Sequence, residues 1–277
     1  MSRKLDFIPP VPGYGWVREQ MREDLGYRLE DRTRRTSLGR PLYERINVQI
    51  VMTQECPYAC PFCLERKHPM KGQFDPDAQV ASLLRVLEEH PQARLTITGG
   101  EPGLYPDHVR RLAKTYRRNS DGVFCSVNTA GYDPELGEIP GVHVNLSWNR
   151  HVQPDPALFP GCTVQTVLPD RFMNIDNFRA FMREHPQAGS FSFRYLSDTD
   201  RPHDYDVSVL EELRDSPDVR VGTFRVGDFF MYCTFDLDGR HCRVTIGDMW
   251  QQTRNDYGDG YSNVIIHPDG RVGVNWN

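Results

Sequence analysis

No stretch of this chain approaches 18 consecutive apolar residues, which leaves no candidate for a transmembrane helix. Its opening residues, Met1-Ser-Arg-Lys-Leu-Asp, lack the apolar core of a signal peptide. Without a secretion signal, 7 cysteines among 277 residues argue for a reducing compartment and against a disulfide framework. The cytoplasm is the expected location. Excess positive charge is also missing. The formal net charge of −5 gives no support to a nucleic-acid partner or a membrane surface. None of the 9 histidines stands at H-x-x-x-H spacing, so none is assigned to a metal. No internal repeat or low-complexity tract breaks the chain. Apolar content is modest at 38%, and 21 Pro with 22 Gly point to many loops. The length still allows one sizeable α/β core.

What is present centres on Cys56-Pro-Tyr-Ala-Cys60-Pro-Phe62-Cys63, directly after the β-branched and apolar run 47–53. Three thiols on one loop suit a [4Fe–4S] cluster with one iron left open. Structural zinc wants a fourth side chain; a zinc knuckle borrowing His68 is the alternative. About 36 residues after Cys63, a second strand-like run, Leu95 to Thr98, leads into Gly99-Gly100-Glu101-Pro102. Glycines let backbone approach a ligand closely, and Glu101 offers a carboxylate to an ammonium.

The C-x3-C-x2-C loop and the GGEP motif, in this order and each after its own strand, resemble the radical S-adenosylmethionine (radical SAM) superfamily. The resemblance implies that Cys56, Cys60 and Cys63 hold one [4Fe–4S] cluster, which binds SAM through its amino and carboxylate groups. It implies that Gly99, Gly100 and Glu101 receive the SAM amino group and that Phe62 lies near the adenine. Ser147 stands where relatives place a polar residue against the ribose or carboxylate. Asn128, in Ser-Val-Asn-Thr-Ala-Gly, resembles the family's Thr-Asn-Gly position. Arg194, if it faces a barrel interior, needs an anionic partner, and the SAM carboxylate is one candidate; an outward arginine is the other reading. Cys125, Cys162 and Tyr232, with Tyr195 beside them, are candidate hydrogen donors to a substrate radical, against the commoner role of cysteine as a core thiol. Glu65 and Arg66 read as loop surface, contact with SAM or substrate being the lesser alternative.

From residue 47 the pattern alternates. Strands are expected at 47–53, 95–98, 123–128, 142–147, 163–168 and 191–196. Asp75-Pro76 reads as an N-cap with Pro at the first helical position, ahead of Val80, Leu83, Leu84 and Leu87 at helical spacing. Val109, Leu112, Ala113 and Tyr116 repeat that spacing, and a further helix is expected near 175–185. The link between the third and fourth strands is too short for a proper helix. Strands alternating with helices predict a parallel sheet. The resemblance sharpens this to an α/β fold, a partial (β/α)6 TIM barrel over 46–204, with an N-terminal extension (1–45, rich in Arg at Arg32, Arg34, Arg35 and Arg40) and a C-terminal extension (205–277) of a helix, 207–214, and β-hairpins covering the barrel.

The first hairpin turns on Asp238-Gly239. A two-residue turn there pairs Leu237 with Arg240, Phe235 with Cys242 and Cys233 with Val244. One face then gathers Phe229, Met231, Cys233, Phe235, Leu237, Cys242, Val244 and Ile246, making Cys233 and Cys242 core thiols. The opposite face carries Tyr232, Thr234, Arg243 and Thr245, placed to close over the barrel mouth. The second hairpin, around Asp269-Gly270, resembles the one that opens the auxiliary-cluster (SPASM or Twitch) extension of peptide-modifying radical SAM enzymes. No cysteine set for a second cluster accompanies it. One cluster is expected.

The chemistry implied is reductive. A flavodoxin or ferredoxin type donor reduces the cluster, SAM is cleaved to a 5′-deoxyadenosyl radical, and the radical takes a hydrogen atom from the substrate. With no recognisable peptide-binding module, a small polar substrate of nucleoside, nucleotide or sugar type is the first expectation. A peptide-modifying enzyme, epimerase or crosslinking, acting on a ribosomal precursor peptide is the alternative. A non-catalytic Fe–S or zinc-binding module is a remote third.

Overall fold

The structure is a computed structural model that describes residues 4–5, 47–121, 124–196, 205–206, 208–226, 230–247 and 263–273. The arginine cluster at Arg32, Arg34, Arg35 and Arg40, together with Val123, Val207 and Phe229, lies outside the described residues. In chain order the strands are β1 (Lys4–Leu5), β2 (Asn47–Val51), β3 (Arg94–Thr98), β4 (Cys125–Thr129), β5 (Val142–Trp148), β6 (Thr163–Leu168), β7 (Ser190–Tyr195), β8 (Tyr205–Asp206), β9 (Val219–Val226), β10 (Phe230–Leu237), β11 (Arg240–Gly247), β12 (Asn263–Ile266) and β13 (Val272–Gly273). The helices are α1 (Leu64–Lys67), α2 (Pro76–Glu89), α3 (Pro106–Asn119), α4 (Ile175–Glu184) and α5 (Ser208–Asp215). No described helix is long and apolar enough to cross a membrane.

The backbone divides into two compact units, one of Arg32–Thr163 with Asn255–Asn277, the other of Met1–Asp31 with Val164–Arg254. In the first, the strand order is β13-β12-β2-β3-β4-β5. Every pair from β12 to β5 is parallel, and β13 returns antiparallel on β12. The helices explain which way the strands face. Val48, Ile50, Leu95, Ile97 and Val127 are buried on the side where Tyr116 of α3 reaches the Ala93 carbonyl at 2.7 Å. The expected start of α2 holds: Asp75 Oδ1 caps it by accepting from the amides of Asp77 (3.0 Å) and Ala78 (2.9 Å), with Pro76 next. Val109, Leu112, Ala113 and Tyr116 line the buried face of α3. Between β4 and β5 there is only a 3-10 turn, Pro134–Glu138.

The other face of this sheet departs from the apolar habit of parallel sheets. Register places Gln49 beside Thr96, Thr96 beside Ser126 and Asn128 beside Asn145. Their side chains bond across strands. Thr96 Oγ1 donates to Asn47 Oδ1 (3.2 Å), Ser126 Oγ to Thr96 Oγ1 (3.4 Å) and Asn145 Nδ2 to Asn128 Oδ1 (2.9 Å).

In the second unit the order is β6-β7-β11-β10-β9, with β1 and β8 as a separate antiparallel pair. β7 and β11 run parallel, and β11, β10 and β9 form an antiparallel meander. The turn at Asp238 (φ +50°) and Gly239 (φ +75°) has the positive φ at both central residues that a two-residue I′ hairpin needs. It yields the expected register, Leu237 with Arg240, Phe235 with Cys242 and Cys233 with Val244. α4 covers the apolar face: Phe178 stacks on Phe193 at 4.0 Å between ring centroids, and Phe181 meets Phe191 edge-on at 6.2 Å. Cys233 and Cys242 are buried there, as expected. Each hairpin joins its sheet edge to edge, the first through β11 on β7 and the second through β12 on β2. The architecture is mixed α/β with parallel strands that do not close into a full barrel, in keeping with the partial-barrel expectation.

Candidate active site

The cysteine loop begins where β2 ends. Thr53 Oγ1 accepts from the Glu55 amide at 3.1 Å, and Gln54 donates from Nε2 to the Met70 carbonyl. Glu55 Oε2 accepts from the Tyr105 hydroxyl at 2.6 Å. A turn closes between the Cys63 amide and the Cys60 carbonyl (3.2 Å), and α1 starts immediately after Cys63. All three cysteines are free thiols, Cys56 exposed and Cys60 and Cys63 half-buried. Asn149 Nδ2 lies 3.9 Å from Cys60 Sγ. Partial burial raises the Cys56 and Cys60 thiols above their ordinary range. The carboxylate of Glu101 and the neighbouring thiols push Cys56 the same way, and Cys63 does so for Cys60. Thiols crowded by negative neighbours ionise readily only beside a cation, which iron supplies.

The donor set fits a cluster better than zinc. Zinc needs its ligands to converge on one centre, yet among the described residues no three His, Cys, Asp or Glu side chains stand close enough to hold one metal ion. Ligands of a [4Fe–4S] cluster bind different irons and need no common centre. His68 Nε2 is buried and bonds to nothing among the described residues.

Glu101 sits against this loop. Its amide donates to the Glu55 carbonyl at 2.8 Å. Its carboxylate is 1% exposed and accepts three hydrogen bonds: Oε1 from the Gly103 amide (2.7 Å) and the Thr129 hydroxyl (2.5 Å), Oε2 from the Ala130 amide (2.7 Å). Burial raises its pKa, and the three donors pull it back down. A carboxylate has about four acceptor positions, so Oε2 keeps capacity for an ammonium. Gly99 (φ +82°) and Gly100 (φ +53°) make the approach possible. A Cβ on Gly100 would lie 2.3 Å from the Glu55 carbonyl oxygen and 2.7 Å from that of Thr53, and one on Gly99 would lie 2.3 Å from Val51 Cγ1. What these glycines admit in this structure is the chain itself.

The remaining candidates separate by face. Phe62 is half-buried beside Cys63. Asn128 and Ser147 belong to the polar, helix-free face of β4 and β5, Asn128 held by Asn145. Cys125 points to the helix-covered face, buried, its thiol pushed up to about 12 by burial. Cys162 is buried as well. In the other unit, Tyr232 and Arg194 share the helix-free face by register, while Tyr195 is buried on the opposite one. Burial pushes Cys233 and Cys242 up to about 12. Glu65 is not loop surface: burial pushes its carboxyl up to about 8, and its Oε2 is enclosed and makes no hydrogen bond among the described residues. Arg66 is exposed as expected.

Sequence reasoning missed the residues that fasten the loop. The helical stripe of α2 was centred on Val80, Leu83, Leu84 and Leu87, but the buried stripe is Gln79, Ser82, Leu83, Val86 and Leu87. Two polar residues at its centre serve strand-end carbonyls. Gln79 Nε2 donates to Val51 (3.0 Å), Met52 (3.1 Å) and His267 (3.0 Å), and its Oε1 accepts from His108 Nε2 at 2.9 Å. Ser82 Oγ donates to the Gly270 carbonyl at 2.5 Å. Thr129 and Tyr105 were missed too. Only the helical spacing of Gln79 and Ser82 with the apolar stripe could have flagged the first pair.

Comparison with known proteins locates this site within a family. The Radical SAM superfamily model matches residues 50–147. Among solved structures, Streptococcus suis SuiB bound to its precursor peptide SuiA is similar with a TM-score of 0.50 and 14% identity, over 83% of this chain and 59% of SuiB. Native anSMEcpe with bound AdoMet and Cp18Cys peptide is similar with a TM-score of 0.46 and 16% identity, over 56% of this chain and 52% of that one. The chain thus spans somewhat over half the length of these solved relatives. A search of curated proteins finds no match. The matched span, under half of the chain, contains both the three-cysteine loop and the Glu101 cradle, and it marks residues 50–147 as similar to the Radical SAM superfamily, whose members use a [4Fe–4S] cluster and SAM.

Proposed function

We propose that this chain is a radical SAM enzyme whose cluster is held by Cys56, Cys60 and Cys63 and whose SAM amino group is received by Glu101 beside Gly99 and Gly100. The observation that carries this reading is the clasp between the two motifs: Glu101 donates its amide to the carbonyl of Glu55, the residue before the first cysteine, at 2.8 Å. When bound, the cluster and SAM supply one-electron cleavage of SAM's sulfur–C5′ bond and hydrogen-atom abstraction from the substrate. The chain's own residues bind and orient. Thr129, Ala130 and Gly103 aim the Glu101 carboxylate, Phe62 borders the adenine, and Asn128 and Ser147 offer hydrogen bonds from the polar face. A flavodoxin or ferredoxin type protein delivers the electron.

The substrate in this reading is a peptide. The fold shared with SuiB, solved with its precursor peptide, supports that over the small polar molecule expected from sequence. Anaerobic reconstitution with iron and sulfide, followed by dithionite and SAM, tests the core claim. About four irons per chain and formation of 5′-deoxyadenosine, both lost in Cys60→Ala, are expected. Iron that binds without SAM cleavage would reduce the protein to a metal-binding module. Screening peptides for faster SAM cleavage tests the substrate class.

A further inference from the structure

β5 ends one residue before Asn149. Because β2 and β5 lie in one parallel sheet, the cysteine loop after β2 and the turn after β5 leave from the same edge. That turn is tight and fixes the Asn149 backbone: its amide donates to the Val152 carbonyl at 2.8 Å, and its carbonyl accepts from the Val152 amide at 3.0 Å. The side chain is held from within the same turn. Oδ1 accepts from the His151 amide at 2.8 Å, an asparagine turn in which the side chain mimics backbone. A backbone N–H only donates, so this bond identifies the amide oxygen and leaves Nδ2 as the atom that faces outward from the turn. Nδ2 lies 3.9 Å from Cys60 Sγ, a residue 89 positions earlier in the chain. Both residues are half-buried.

A neutral thiol is a weak acceptor, and a donor at 3.9 Å gains little from it. The thiolate that ligates iron is charged, and charge-assisted hydrogen bonds are shorter and about twice as strong. Reduction adds an electron to the cluster and deepens the negative charge on its sulfurs. A donor aimed at one of them therefore stabilises the reduced state more than the oxidised one, and hydrogen bonds to the sulfurs are among the levers that set cluster potentials. We infer that Asn149 tunes the cluster: its Nδ2–H donates to the Cys60 thiolate and raises the reduction potential, easing uptake of the electron that cleaves SAM. Cys60 is the ligand that receives the bond, and Asn149 acts through it before SAM arrives. The inference rests on the reading of Cys60 as a cluster ligand.

A redox titration of the anaerobically reconstituted full chain, followed by EPR and run without SAM, reads the potential. Asn149→Ser is the informative variant. Its hydroxyl is too short to reach Cys60, yet it keeps an oxygen that accepts from the His151 amide. Its cluster should be about tenfold harder to reduce, a fall of about 59 mV for a one-electron couple, with iron content unchanged. Asn149→Asp, which keeps the turn and replaces the donor by a negative charge, should lower the potential further. Asn149→Ala loses both turn and donor; it should match the serine variant in potential and melt at a lower temperature. A serine variant with the parent's potential overturns the inference. If the alanine variant alone shifts, the turn matters and the donor does not. If the serine variant keeps its potential but binds SAM tenfold more weakly, Asn149 belongs to the cofactor instead. A parent chain that assembles no cluster would remove Cys60 as a ligand and this inference with it, whereas a parent cluster whose potential ignores Asn149→Ser removes this inference alone.

Discussion

Gln79 offers the sharpest test of how the cysteine loop is held. Its side chain is fully buried. Nε2 has two protons to share among the carbonyls of Val51, Met52 and His267, and Oε1 accepts the His108 Nε2 proton. That last bond sets the imidazole tautomer, because an amide oxygen cannot donate. Gln79→Met keeps the volume and removes all of this. Two amide hydrogen bonds are lost at about 1 kcal/mol each, and the His108 N–H is stranded at about 1–3 kcal/mol, so the variant should lose about 3–5 kcal/mol. Urea denaturation of the full chain measures it. Gln79→Glu separates hydrogen bonding from packing, since it keeps the shape but turns an acceptor toward three carbonyls; it should cost at least as much as Met. A near-neutral Gln79→Glu, or a Met variant within about 1 kcal/mol of the parent, would refute the reasoning. Because Val51 and Met52 root the cysteine loop, the reconstituted Gln79→Met protein should also release iron faster to a chelator.

Further outcomes follow from the same contacts. His108 takes its proton near 6.5 when unfolded and, through burial first and Arg111 second, only near about 4 when folded. The contribution of His108 to stability should therefore fall by up to about 3 kcal/mol as pH drops from 6.5 toward 4 and be constant above that window, read as the difference between the parent and His108→Gln, which keeps a donor for Gln79; the raised Glu65 carboxyl is present in both and cancels. Thr129 Oγ1 accepts from the Gly131 amide at 2.9 Å, so its proton goes to Glu101. Thr129→Val should raise the Glu101 pKa further, weaken SAM binding about tenfold and move its pH midpoint upward, with Thr129→Ser restoring both in calorimetric titrations. Gly100→Ala should cost more than Gly239→Ala in denaturation midpoint. Both have positive φ, worth about 1–2 kcal/mol of strain, but a Cβ on Gly239 meets nothing within 4 Å while one on Gly100 meets two carbonyl oxygens.

Features encoded within a few residues were legible. Asp75-Pro76 starts α2, Asp238-Gly239 sets a register that orients eight paired residues on each strand, and the cysteine spacing stands out against any background. What the sequence concealed depends on partners far along the chain. Gln79 bonds to His267 and Ser82 to Gly270, each 188 residues away. Nothing near either residue announces a partner, so apolar spacing alone rotated the predicted stripe of α2. β12 read as half of a local hairpin, yet its other edge lies parallel to β2, and a hairpin strand looks the same in sequence whether or not its second edge is covered. The polar face across Thr96, Ser126, Asn128 and Asn145 was hidden for a related reason. Alternation shows that one side of a strand is polar, but not that those side chains bond to one another instead of to water.

The two glycines before Glu101 meet a physical need that their sequence does not announce. From sequence they admit a ligand. In the structure the space a side chain would need is taken by Val51, Thr53 and Glu55, the end of β2 and the entry to the cysteine loop. The same turn that presents Glu101 therefore sets where the loop begins. Loop position and carboxylate position are coupled through backbone contacts, and a substitution at Gly99 or Gly100 cannot disturb one alone. Iron retention and SAM affinity should fall together in Gly100→Ala, whereas Thr129→Val, which acts on the carboxylate from the far side, should lower SAM affinity and leave iron content unchanged. Equal iron loss in both variants would mean that the clasp between the motifs does not order the loop.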